Sequence, residues 1–200
     1  VTMEYRLIVE KTNSELIFMR FEEPAEGLWT ITVNALDIAD GTFHIWSSMT
    51  EFLTGEVYFV RSNPDTTLTE PSNTYSPITA GYYNVVENAL SPDSGRGFSR
   101  FNTIKPDLLA PGINVKAAVP GGQFAVRSGA SIGAAITAGA AALLMEWALF
   151  ISGETDVDSS LIKNYLILGA DQDPTSSYPN REEGYGALDL YSTFLKLSEY

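Results

Sequence analysis

The sequence predicts an α/β fold with a parallel sheet in its second half, joined to an antiparallel β domain in its first half. Two observations predict this division. Up to about residue 60, short runs of β-branched and aromatic residues alternate with turn-forming residues. From about residue 76, short apolar runs alternate with segments of helical length, as strands and helices do around a parallel sheet. The predicted domains are accordingly 1–75 and 76–200.

Five short strands are predicted in the first part. Turn signals such as Glu-Pro-Ala-Glu-Gly and Ala-Asp-Gly separate them. Several short strands at this spacing favour an antiparallel sandwich or a jelly roll. A polar connector over 61–75 follows the last strand. The predicted strands are 5–9, 16–21, 28–33, 43–46 and 57–60.

The second part is predicted to contain strands over 78–86 and 113–119, followed by three helices. The first helix runs over 131–150. The second begins at Asp156 or Asp158, either of which can cap it, and ends before Gly169. The third covers 187–196.

Composition excludes several classes of function. A net charge of −13 disfavours nucleic acid, and it indicates a soluble surface or a basic partner. The absence of cysteine excludes thiol catalysis and iron–sulfur clusters, and the single histidine, His44, excludes most catalytic metal sites. The apolar run 132–150 contains Thr137 and Glu146, so we expect a core helix and no membrane span. The first five residues resemble the middle of a strand, so we expect further protein upstream.

The segment around Ser131 contains the candidate catalytic nucleophile. Ser131 follows Gly129 and Ala130 where a loop is predicted to become a helix rich in small residues. A serine there lies among unpaired backbone N–H groups at the positive end of the helix dipole, which suits an acyl-transfer nucleophile and its oxyanion. On the residues alone, an ordinary N-terminal serine on a core helix is the favoured interpretation, because serine is a common helix cap and helices rich in glycine and alanine are common in protein cores.

Four motifs in the same order resemble those of subtilases, the subtilisin-like serine peptidases. Arg-Ser-Gly-Ala-Ser at 127–131 resembles their nucleophile motif, Ser-Gly-Thr-Ser. Lys-Pro-Asp-Leu-Leu-Ala-Pro-Gly at 105–112 resembles a highly specific segment of theirs, and two short turns complete the set. The resemblance covers about 75–200 and implies a subtilisin-like parallel sheet with helices. The two turns are Ser-Gly-Arg-Gly at 94–97 and Gly-Tyr-Gly at 184–186.

A narrower resemblance is to the Csp-type subtilases of spore-forming anaerobic bacteria. It rests on Gly-Thr-Phe-His-Ile-Trp at 41–46, Leu-Leu-Met-Glu-Trp at 143–147 and the run 178–186. The resemblance implies a jelly-roll domain inserted in the subtilase domain, a location in the spore, and a role in germination. Active members cleave the zymogen of a cortex-degrading hydrolase, whereas degenerate members act as signalling pseudoproteases. It also implies partners: other germination proteins and a small-molecule germinant.

The chain departs from the subtilase pattern in ways that favour a pseudoprotease. The catalytic aspartate and histidine would have to come from upstream, because His44 lies in a predicted strand without the usual glycine-rich surroundings. Ala130 stands where subtilases have threonine, and Gly133 replaces a usual alanine. These two changes favour a degenerate protein that signals through partner binding. An active serine endopeptidase with Ser131 as nucleophile is the alternative, and a stand-alone binding jelly roll is a third. No asparagine inherits the family's oxyanion role by motif: neither Asn13, Asn34 nor Asn63.

Arg96 and Gly97 are candidates for a structural or regulatory turn, with Arg96 pairing with a nearby acid. No cofactor is expected. Calcium could be bound by Asp37, Asp40 and the cluster of Glu22, Glu23 and Glu26, but their spacing fits no calcium-loop template, and solvated turns are favoured. The aromatic residues of the first part are interpreted as sandwich core.

Overall fold

A computed structural model describes residues 1–9, 14–34, 36–37, 41–49 and 52–199. The chain divides into two compact units, Val1–Val57 and Tyr58–Tyr200. The connector over 61–75 belongs to the second unit. The assignment of 1–75 and 76–200 to two domain types stays a prediction.

The first unit contains one antiparallel hairpin. Strands β1 (Thr2–Val9) and β2 (Ser14–Arg20) pair from Thr2 opposite Arg20 to Val9 opposite Ser14. These strands confirm the first two predicted runs.

The strands predicted at 28–33, 43–46 and 57–60 are wrong for this structure, since the backbone there is irregular. Strands persist only when their backbone groups pair with a neighbour, and no described strand lies alongside these runs. Their apolar side chains are exposed, as Leu28 is at 82%. A jelly roll is therefore not seen in the described part of this unit.

The second unit is built on a mixed sheet. Strands β3 (Ala80–Asn84), β4 (Ala89–Leu90) and β5 (Leu108–Pro111) lie in the order β4-β3-β5. The β3–β5 pair is parallel, which confirms the predicted parallel sheet, and β4 is antiparallel to β3.

Strands β6 (Val115–Val119) and β7 (Gln123–Arg127) form a separate hairpin. Strands β4, β5 and β7 were missed by the sequence analysis. For β7 a signal was present, since Gly121 and Gly122, both at positive φ, form a typical turn before it.

Three helices cover this sheet. Helix α1 spans Ala130–Trp147 and continues as a π-helical turn over Ala148–Ser152. Helix α2 (Ser159–Gly169) is capped by Asp158, whose carboxylate accepts a hydrogen bond from the Leu161 N–H. Helix α3 (Leu190–Leu197) is capped in the same way by Asp189. The three predicted helices are thus confirmed, with Asp158 rather than Asp156 as the cap of α2 and a later start for α3.

The core lies between α1, α2 and the sheet. Leu108 of β5 packs with residues of α1 and α2 in one buried cluster, which contains Leu108, Ala140, Leu144, Ile162 and Leu166. By length and composition, Ala130–Ser152 is the one helix in the described residues that could cross a membrane. In this structure it packs on β3, β5 and α2 through a buried stripe of small residues.

A buried carboxylate, Asp107, joins the sheet to its surroundings. The Asp107 Oδ2 atom lies 2.7 Å from the Lys105 Nζ and accepts a hydrogen bond of 2.7 Å from the Thr79 N–H. The Lys163 Nζ of α2 lies 3.5 Å from Oδ1. Lys105 is only 1% exposed. Burial lowers the pKa of Lys105 from its usual value, and the hydrogen bond and charge of Asp107 oppose that shift.

Replacing Asp107 with asparagine should cost about 3–5 kcal/mol of unfolding free energy, because it leaves the buried Lys105 ammonium without a counter-ion. The measurement is urea unfolding of the chain. Adding Lys105→Met to Asp107→Asn should recover part of the loss, since it removes the uncompensated charge. Asp93→Asn, at an exposed carboxylate, is the matched control and should change stability by at most about 0.5 kcal/mol. A loss below about 1 kcal/mol for Asp107→Asn would refute the role given to this ion pair.

Candidate functional site around Ser131

Ser131 is the second residue of α1 and is exposed. The preceding turn is made possible by Gly129, which has φ 138° and ψ 168° and no side chain to cap the helix. Within the described residues, no hydrogen bond holds the Ser131 hydroxyl. It is therefore accessible to a substrate carbonyl.

The first backbone N–H groups of α1 belong to Ser131 and its immediate neighbours. The earliest N–H with a partner in the turn is that of Ile132, which donates to the Gly129 carbonyl at 3.0 Å. The N–H groups of Ala130 and Ser131 precede it, and the first N–H groups of a helix have no intrahelical acceptor. Together with the helix dipole, they favour negative charge on an oxygen at this position.

Backbone hydrogen bonds fix the Ser131 turn to the sheet. The Gly129 N–H donates to the Gly112 carbonyl at 2.8 Å, and the Gly112 N–H donates to the Tyr83 carbonyl of β3 at 3.1 Å. The Ser128 hydroxyl accepts a hydrogen bond of 2.9 Å from the Asn114 N–H. The Ala-Pro-Gly segment at 110–112 therefore holds the loop that carries the serine.

Packing against the sheet explains why residue 133 is glycine, and the sequence analysis missed this reason. A Cβ at residue 133 would lie 3.2 Å from the Tyr82 Cβ and 3.7 Å from the Ala110 Cβ. Glycine therefore lets α1 approach the sheet at the large Tyr82 side chain. No sequence signal marked Tyr82 as the partner. Gly133 is thus accounted for without invoking a loss of catalytic function.

A cavity of about 400 Å³ lies beside the start of α1. It is lined by Ala130, by Gly81 and Tyr82 of β3, and by the connector and the turn over 92–95. The Ala130 methyl thus faces open space where a threonine hydroxyl could be accommodated.

The turn at Arg96 and Gly97 is held by charged contacts with the loop over 180–186. The Arg96 guanidinium forms an ion pair with Glu182, and the Gly97 N–H donates to the Arg181 carbonyl at 2.8 Å. A Cβ at residue 97 would lie 1.6 Å from the Lys105 carbonyl oxygen, so only glycine fits there. This geometry gives the turn a structural role, while its regulatory role stays a prediction.

No described residue of the second unit forms a hydrogen bond to the Ser131 hydroxyl, as a general base would. His44 lies in the first unit, in irregular backbone rather than a strand, stacked on Trp46 at 5.2 Å. Of the asparagines considered, Asn63 accepts a hydrogen bond from the Asp65 N–H at its side-chain Oδ1 atom, and Asn13 lies outside the described residues. Asp40 also lies outside them, and the described residues hold no group of three or more potential metal ligands.

The fold and the Ser131 turn agree with the comparisons with known proteins. The chain matches the Subtilase family (Peptidase_S8) over residues 21–186. This match covers well over half of its 200 residues, so the chain belongs to the subtilase family. The predicted resemblance is thereby confirmed, together with the subtilisin-like α/β fold.

Among solved structures, the CspB protease of Clostridium perfringens is 36% identical, with a TM-score of 0.67 over 70% of this chain and 31% of that one. This similarity agrees with the Csp-type motifs. The patellamide maturation protease PatA is 25% identical, with a TM-score of 0.54 over 68% of this chain and 48% of that one. The C5a peptidase of Streptococcus pyogenes is 30% identical over 123 residues, which are 54% of this chain and 10% of that protein. The chain thus spans a minor part of each relative.

Two glycines of α1 provide a matched test of the Tyr82 contact. A Cβ at Gly139 would meet nothing within 4 Å, so Gly139→Ala should raise the free energy of unfolding by up to about 1 kcal/mol through helix propensity alone. Gly133→Ala should raise the free energy of unfolding by clearly less, because the new methyl group contacts Tyr82. Thermal unfolding of both variants measures the difference. Equal gains would show that Tyr82 does not constrain residue 133.

Proposed function

We propose that this chain provides the nucleophile-bearing part of a Csp-type serine endopeptidase. The observation that carries the proposal is the Ser131 hydroxyl, exposed and unbonded at the start of α1 in a turn fixed by Gly112. An acyl-transfer enzyme depends on a nucleophile held in such a turn.

In the proposed mechanism, the Ser131 Oγ attacks the carbonyl carbon of a peptide bond. A histidine from the remainder of the protein, oriented by an aspartate, accepts the hydroxyl proton and returns it to the leaving amine. The N–H groups at the start of α1 stabilise the oxyanion of the tetrahedral intermediate. Water then attacks the acyl-enzyme, releases the second product and restores the hydroxyl.

Similarity to the CspB protease and the Csp-type motifs support a role in spore germination. The proposed substrate is the zymogen of a cortex-degrading hydrolase, and the proposed location is the bacterial spore. Other germination proteins and a small-molecule germinant are the proposed partners.

The first part of the chain is proposed to contribute the paired strands β1 and β2 to an inserted jelly roll. Its exposed apolar side chains support this proposal, because they are the residue types that fill a sandwich core. They include Leu28, Trp29, Phe43, Trp46 and Phe59, each at least 42% exposed. Strands outside this chain would cover them.

A second candidate, a signalling pseudoprotease, is favoured by one observation. Ala130 lacks the hydroxyl that subtilases place beside the nucleophile, and its methyl group lines an open cavity. Such a protein would keep the fold as a surface for partners. The packing role of Gly133 removes the other argument for this candidate, and so the active enzyme is the leading proposal.

A fluorophosphonate probe on the complete protein distinguishes the two candidates. The probe labels activated serines, so labelling should be present in the natural protein and absent in Ser131→Ala. Cleavage of the purified zymogen should fall by about 10⁶ in the same variant. Ser159→Ala, at an exposed serine that also begins a helix, is the matched control and should keep full labelling.

Absence of labelling in a natural protein that unfolds cooperatively would overturn the active assignment and favour the pseudoprotease. Labelling that persists in Ser131→Ala would place the nucleophile elsewhere.

A further inference from the structure

A second cavity, of about 490 Å³, lies at the C-terminal end of α1. It is formed where the π-helical turn meets α2 and α3. Trp147 follows Ser131 by 16 residues on α1, so the two are separated by about 24 Å along the axis. The cavity is therefore distinct from the Ser131 site. Its lining residues are Trp147, Ser152, Glu154, Tyr165, Leu168 and Leu197.

Two aromatic rings bound this cavity at nearly a right angle. The Trp147 and Tyr165 ring centroids are 6.0 Å apart, with an interplanar angle of 79°. Trp147 also packs edge-to-face on Phe194 of α3 at 6.2 Å, which fixes its orientation. Ring faces carry partial negative charge, and a cation within about 6 Å of a ring centroid is attracted to them.

A carboxylate completes the lining. The Glu154 carboxylate lines the cavity together with Tyr165, and burial, followed by the charge of Glu154, raises the pKa of the Tyr165 hydroxyl. Among the described residues, Glu154 takes part in no recorded ion pair. Lys196, on α3, donates instead to the Leu168 carbonyl at 2.8 Å. The negative charge of Glu154 is thus not neutralised by a protein cation.

The end of the α1 helix adds to this negative potential. The Glu154 N–H and the Gly153 N–H both donate to the Ala148 carbonyl. The carbonyls that follow Ala148 in the π-helical turn are among the last four of the helix, and these have no intrahelical donor. They form the negative end of the helix dipole. Single π-helical turns of this kind recur at functional sites.

We propose that this cavity binds an alkylammonium group. Two aromatic walls match its apolar and cationic surface, and the Glu154 carboxylate and the helix end match its charge. A neutral ligand would leave the carboxylate unused, and an anion would be repelled. The ammonium could belong to a small amine or to a lysine side chain of a protein partner, and the two sources share this chemistry.

Fluorescence titration of the 200-residue chain tests the proposal. In a Trp29→Phe, Trp46→Phe background, Trp147 is the only tryptophan and reports on the cavity directly. Choline represents a small amine, and N-acetyl-lysine methylamide represents a lysine side chain. We expect saturable quenching by at least one of them. Neither 3,3-dimethylbutan-1-ol nor N-acetyl-norleucine methylamide, the neutral analogues, should bind.

Glu154→Gln should weaken the binding about tenfold or more, because it removes the charge and keeps the size and polarity of the side chain. Glu146→Gln, at an exposed glutamate one residue before Trp147, is the matched control and should bind normally. Saturation by choline alone assigns the site to small amines, and saturation by the lysine derivative alone assigns it to a protein partner. Equal binding of the neutral analogues, no saturation by either cation, or unchanged affinity in Glu154→Gln would overturn the proposal.

Discussion

The buried ion pair between Lys105 and Asp107 is the interaction on which the second unit depends. The Asp107 carboxylate forms ion pairs with Lys105 and Lys163 and accepts a hydrogen bond from the Thr79 N–H. Its backbone carbonyl accepts a hydrogen bond of 2.9 Å from the Tyr185 N–H. It thereby joins β3, β5, α2 and the loop before α3. A buried carboxylate is tolerated only when it is paired and hydrogen-bonded in this way, so the pair fixes one arrangement of these elements.

Much of this unit could be predicted from the sequence because its signals are local. Small residues after Ser131 predicted α1, Asp158 and Gly169 bounded α2, and the Lys-Pro-Asp-Leu-Leu-Ala-Pro-Gly motif indicated the family. The first part was predicted poorly, because a run such as 28–33 becomes a strand only when a neighbouring strand supplies its hydrogen bonds. The Gly133–Tyr82 contact joins residues distant in sequence, so no local pattern could reveal it.

Helix α1 combines two chemically different ends. Its N-terminal end presents Ser131 among unpaired N–H groups, where negative charge develops in acyl transfer. Its C-terminal end, with Glu154 and Trp147, favours positive charge. The helix dipole has the corresponding polarity at each end.

Asp107 directly precedes β5, and Gly112, directly after β5, holds the Ser131 turn, so we expect the buried carboxylate to position that turn. Amide hydrogen exchange of Gly129, whose N–H donates to the Gly112 carbonyl, measures this directly. In Asp107→Asn, the account predicts that the Gly129 amide loses protection together with the amides of β3 and β5, while the β6–β7 hairpin keeps its natural exchange rates. Natural protection at Gly129 alongside weakened β5 amides would contradict the account, since the turn would then be held independently of the ion pair.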